Sequence, residues 1–150
     1  MRTHKTIFVA AMAAGLLAAA PLAHASTSAN KALVVKAVTM LFVQHKVDKA
    51  VDRYFAPGYI QHNPQFATGA EPFRKFFKAF YASNPTSTIK ISHVLADGDL
   101  VAVHYLFKVK PADRGEAIVD IFRVANGKIA EHWDVGEAVP AKSVNDNGML

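Results

Sequence analysis

Near Thr88 the apolar pattern of this 150-residue chain changes period, from about 3.6 residues to about 2, and does not change back. That switch confines the fold to helices first and strands afterwards. Asn30 to Gln44 is apolar on most sides and has no Gly or Pro, so it predicts a largely buried helix. Val47, Ala50, Val51, Tyr54 and Phe55 follow i, i+3, i+4, i+7, i+8, the stripe of a second short helix, and Ala56-Pro57-Gly58 ends it. A loop, Tyr59-Ile-Gln-His-Asn-Pro64, comes next. Glu71 and Pro72 suit the first turn of a third helix, in which Phe73, Phe76, Phe77, Phe80 and Tyr81 repeat the same spacing. Asn84-Pro85 stops it. Downstream, Ile89–Ala96 and Leu100–Val109 flank Asp97-Gly98, and Glu116–Ala125 and Lys128–Gly136 flank Asn126-Gly127. Both are two-residue hairpin signals. Helices followed by an antiparallel meander predict one α+β domain, with its core at residues 28–139 and a polar tail at residues 140–150.

The first 25 residues read as an address. Met1–Lys5 is basic, Ile7–Ala20 is an unbroken apolar run with one Gly, and Ala23-His24-Ala25 fits a signal-peptidase site before Ser26. The run is shorter than the ~20 residues that cross a bilayer. The expectation is export to the periplasm or beyond, with residues 26–150 free of the membrane after cleavage. Of the 17 Lys and Arg, Arg2 and Lys5 lie in this leader, which leaves an excess of three over the 12 Asp and Glu. That is too small, and too dispersed, for a nucleic-acid binder. The absence of cysteine excludes disulfides, thiol catalysis and thiolate metal sites.

The last hairpin carries the chemistry. A simple ladder from Asn126-Gly127 pairs Val124 with Ile129, Phe122 with Glu131, Asp120 with Trp133 and Ile118 with Val135, all on one face. That face is the more apolar and should meet the helices, yet it holds Asp120 and Glu131. A carboxylate in an apolar setting is costly unless paired. Spacing alone leaves Asp120 open between a buried acid bonded to a backbone N–H or a Tyr, and an acid/base group. His104 lies mid-strand, and the Pro111–Gly115 turn leaves its face undetermined. His132 and Asp134 share a face with Arg123 and read as a solvated cluster. No HExxH or His-x-His pattern, G-x-S-x-G or Gly-rich phosphate loop occurs, so neither a metal nor a cofactor is expected.

Tyr59-Ile-Gln-His-Asn-Pro64, Asp120-Ile-Phe-Arg123, Gly127-Lys-Ile-Ala-Glu-His-Trp-Asp134 and the tail Asn145-Asp-Asn-Gly-Met149 together resemble the SnoaL-like, polyketide-cyclase branch of the NTF2-like superfamily. The resemblance spans roughly residues 30–149. It implies a cone of three helices on a curved antiparallel sheet with a deep apolar pocket. It also implies a pocket Asp acting as acid/base in an aldol closure without metal or cofactor. By motif match that residue is Asp120, with His104 as its helper. His62, Asn63, Tyr54, Phe73, Phe77, Phe122, Glu131 and Trp133 are the candidate pocket residues. The function expected is an acid/base cyclase, lyase or isomerase on a small apolar carbonyl compound. The alternative is a non-catalytic carrier of an apolar ligand. A homodimer is expected, because the outer sheet face keeps Val119 and Ile121, with Val101, Val103 and Phe107 as further candidates.

Overall fold

The structure is a computed structural model that describes residues 26–150; the leader read in residues 1–25 lies outside them. Helix α1 spans Thr27–Val38, and the Ser26 hydroxyl caps it by accepting from the Ala29 N–H at 3.2 Å. It widens into a π-helical turn, Thr39–Val43, where the Gln44 N–H donates to the Thr39 carbonyl at 3.0 Å. So the long helix expected to Gln44 is an α-helix with a π-turn at its end. Helix α2 is Val47–Tyr54 and α3 is Ala70–Ser83. The strands are β1 Phe55–Gln61, β2 Thr88–Asp97, β3 Leu100–Lys108, β4 Glu116–Ala125 and β5 Lys128–Ala138.

The sheet order is β1-β5-β4-β3-β2. From β2 to β5 it is the expected antiparallel meander, and β1 adds a parallel pair against β5. The sheet is therefore mixed rather than purely antiparallel. Helix α2 ends at Tyr54, one residue short of the expected stripe, and Pro57, Gly58 and the first half of the expected loop, Tyr59–Gln61, lie within β1. An edge strand tolerates a proline, because one side of its backbone needs no partner. The β1–β5 ladder is regular only at Ile60↔Glu131 and Gln61↔His132 and slips between Phe55 and Ile60, where Pro57 and Gly58 sit.

One sheet face is covered by the helices. Val101, Val103, Tyr105, Phe122, Val124 and Ile129 pack there against Val34, Val38, Leu41 and Val51. Val101 and Val103 are thus core residues and Phe107 packs against the same core, so none of the three is part of the outer face. The alternate residues His104, Val119 and Ile121 point the other way.

The β4–β5 turn is the expected one. Asn126 and Gly127 both have positive φ (50° and 69°), as a type I′ hairpin requires. The β2–β3 turn is displaced by one residue, since Asp97 pairs with Leu100 and the turn residues are Gly98-Asp99. The larger correction concerns β5. Ala125↔Lys128 and Val124↔Ile129 pair as expected, but Arg123 then pairs with Glu131, so Ala130 is an extra, bulged residue. Beyond it every β5 side chain changes face. Asp120 stands opposite Asp134, Phe122 opposite His132, and Trp133 opposite Ile121.

Candidate active site

Between α3 and the inner face of the sheet lies a cavity of about 380 Å³. The i, i+3, i+4, i+7 spacing of α3 turns Phe73, Phe76, Phe77 and Phe80 into one wall, and Phe66 extends it. Tyr105, Ile118, Asp120 and Asp134 come from the strands, and Gln61 and Asn63 from the end of β1 and the loop after it.

Asp120 is only 2% exposed, yet it lines this cavity. Its Oδ2 accepts from the Tyr105 hydroxyl at 3.0 Å. Its Oδ1 lies 3.3 Å from His132 Nε2. His132 is itself buried, and its Nδ1 sits 2.8 Å from Gln61 Oε1. The same Oε1 accepts from the Asn63 backbone N–H at 2.9 Å, while Gln61 Nε2 donates to the Tyr59 hydroxyl at 3.1 Å. An amide oxygen only accepts, so the hydrogen of that contact is carried by His132 Nδ1. His132 Nε2 then faces a carboxyl oxygen. Burial, and next the negative charge of Asp120, push the Tyr105 hydroxyl well above the usual phenol range, so Tyr105 remains a neutral donor. Burial, followed by Asp120 and Asp134, also pushes Tyr59 up.

Asp134 Oδ2 accepts from Asn63 Nδ2 at 2.8 Å beside Asp120. Asp120, His132 and Asp134 each offer one donor atom, all within 4.8 Å of one another. A zinc-sized ion holds neighbouring donors about 3–3.5 Å apart. A histidine whose Nδ1–H is tied to an amide oxygen is oriented as metal-binding histidines are. The three side chains therefore suit a cation after a small contraction.

Several expected site residues lie elsewhere. His104 pairs with Val119 on the outer face, while its neighbour Val103 is opposite Asp120, so His104 is not Asp120's helper. Tyr105 and His132 are the side chains in contact with Asp120. His62 Nε2 contacts Glu131 Oε1 at 2.7 Å, and its ring stacks on Trp133 at 4.7 Å and 5°. Arg123 Nε donates to Glu131 Oε2 at 2.6 Å. The Ala130 bulge has thus moved Glu131 and Trp133, with His62, away from the pocket and onto the outer face. Tyr54 and Phe122 are core residues outside the cavity lining, whereas Asn63, Phe73 and Phe77 line it. Sequence reasoning did not bring Gln61, Tyr105, His132 and Asp134 to the pocket, although it noted His132 and Asp134 as two ligands that a cation could share. Gln61 lies inside the Tyr59–Pro64 motif and was within reach; His132 and Asp134 were hidden by the bulge.

The sequence profile of the SnoaL-like domain matches residues 34–132. No curated protein matches the chain significantly. Among solved structures, a candidate ketosteroid isomerase from Kribbella flavida superposes with a TM-score of 0.64 at 18% identity, over 75% or more of both chains (83% of this one, 89% of that one). A candidate polyketide cyclase from Acidithiobacillus ferrooxidans gives 0.61 at 16% identity, covering 75% of this chain and 91% of its own. A SnoaL-like protein of unknown function from Burkholderia thailandensis gives 0.63 at 14% identity, covering 75% and 98%. At these identities the likeness establishes the α+β, NTF2-like fold.

Proposed function

We propose that this chain, which belongs to the SnoaL-like domain family, is an exported, homodimeric acid/base enzyme. It acts without a cofactor on a small apolar carbonyl compound held in the aromatic pocket. What carries this reading is one observation: a carboxyl group almost sealed from solvent that still lines a cavity, with an imidazole nitrogen 3.3 Å away. Asp120 acts as the carboxylate base. It removes the proton from the carbon next to the substrate carbonyl, and the C–H electron pair moves into an enolate. In an aldol-type closure the enolate carbon attacks a second carbonyl of the same molecule, and the new alkoxide takes the proton back from Asp120. In an isomerisation the proton returns to a different carbon. Asn63 Nδ2 gives one hydrogen to Asp134 and has a second for the developing oxyanion. The phenylalanine wall excludes water and strengthens each of these interactions. The candidate isomerase and cyclase among the structural neighbours support this class of chemistry.

The size of that wall favours a second reading, a carrier that binds an apolar molecule without turning it over. Deuterium exchange at the α-carbons of 2-tetralone, followed by proton NMR in D₂O, separates the two. Catalysed exchange in the wild type, reduced about 10²–10⁴-fold in a folded Asp120→Asn protein, is expected for the enzyme. Binding of tetralone without exchange would leave the carrier. Exchange abolished by a chelator would instead assign the chemistry to a cation on Asp120, His132 and Asp134.

A further inference from the structure

On the uncovered face of the sheet, a second β-bulge creates a feature the pocket does not use. Ile91 pairs with Tyr105, so a regular ladder would put Ser92 opposite His104. The register slips there, and His93 stands opposite His104, followed by Val94↔Val103 and Leu95↔Ala102. Bulges of this kind re-aim a side chain at the expense of ladder regularity. Here the re-aimed side chain is an imidazole facing an imidazole. The two Nδ1 atoms are 3.2 Å apart, the rings are within 12° of parallel, and their centroids are 5.5 Å apart. The rings therefore lie edge to edge with nitrogen toward nitrogen. His93 is exposed and His104 half-buried, so solvent reaches the pair.

Between two nitrogens so placed there is room for one hydrogen, given by one ring and accepted by the lone pair of the other. Loss of that hydrogen presents two lone pairs to the same point. Imidazole suits zinc, copper and nickel. With metal–nitrogen bonds of about 2.0–2.1 Å, two nitrogens bound side by side are about 2.9–3.4 Å apart. The observed separation falls inside that range, and turning each ring by about 40° brings the lone pairs together about 2.0–2.1 Å from both nitrogens, off the line between them. We propose that His93 and His104 form a two-imidazole site for a divalent transition ion, with water completing its coordination. The ion would clip β2 to β3 on the face opposite the pocket. The residues paired around the two histidines on this face are Lys90, Leu95, Ala102, Leu106 and Val119, none of which supplies a carboxylate. The site is thus independent of Asp120 and of the proposed chemistry.

The test is thermal melting of the tag-free protein with and without Zn²⁺, beside calorimetric Zn²⁺ titration. Zinc should raise the melting temperature of the wild type, because an ion that binds only the folded chain stabilises it. His93→Ala and His104→Ala should each weaken binding tenfold or more and remove the shift. Asp134→Asn should keep both, which separates this site from the donors in the pocket. Metal-free melts of each variant, with His104→Gln as a gentler change, keep misfolding apart from lost ligation. A wild type without a zinc shift, or a shift that survives both histidine substitutions, would overturn the site.

Discussion

Glu131 lies between His62 at 2.7 Å and Arg123 at 2.6 Å, and these partners, His62 foremost, hold its carboxyl below its ordinary value near 4.5. A carboxyl whose folded value is lowered adds stability that is present above the unfolded value and disappears as pH falls through the folded one. Glu131→Gln should therefore melt below the wild type at neutral pH, and the gap should close as pH falls below the ordinary carboxylate value. Melting curves across that fall in pH check this; a gap that persists at the acid end would contradict it. Sequence reasoning placed Glu131 in the pocket, and the reason it lies outside is a single residue. Asp120 was legible because alternation along β4 is unbroken from Ile118 to Val124. Its partner His132 was not, because Ala130 interrupts the count on β5 and nothing in that stretch announces a bulge.

The three helices were legible as elements because each carries a stripe or a capped apolar run. Strand β1 was not: seven residues containing Pro57 and Gly58 look like a helix stop, and the pairing that makes them a strand comes from β5, far along the chain. The β3–β4 connection decides which residues of the two strands share the pocket face, and its geometry rests on Gly115. That residue has φ +88°, and a Cβ there would lie 2.4 Å from the Phe107 carbonyl oxygen. Backbone strain and the clash together should make Gly115→Ala destabilising by roughly 2–4 kcal/mol. Gly127, at φ +69° with no atom within 4 Å of an added Cβ, carries only the conformational penalty, about 1–2 kcal/mol. Urea unfolding of the two variants gives the comparison. Equal losses would mean that the Phe107 contact imposes no constraint.

At the scale of the molecule, the α+β class follows from the change of period alone. The site does not, because it joins β1, the loop after it, α3 and three strands that no local pattern links. The outer face leaves Val119, Ile121 and Trp133 without helices over them, and Leu95 at its edge is 70% exposed. A second copy over Ile121 and Trp133, on the β4–β5 side of this face, is the proposed cover, which leaves the His93–His104 pair on the β2–β3 side open. Sedimentation at micromolar concentration should give a dimer, and Ile121→Asp should give a monomer; a monomeric wild type would remove the proposal. Sequencing of the protein from its native host should begin at Ser26, and a chain beginning at Met1 would exclude cleavage. The pocket chemistry is tested most directly by α-deuterium exchange of 2-tetralone with three proteins side by side: wild type, Asp120→Asn and His104→Ala, each with its melting curve. The expected result is exchange by the wild type and by His104→Ala at similar rates, with a folded Asp120→Asn slower by about 10²–10⁴. A folded Asp120→Asn protein exchanging at the wild-type rate, or loss of exchange in a folded His104→Ala, would contradict the assignment of Asp120 as the acid/base group and of the sheet face on which the chemistry takes place.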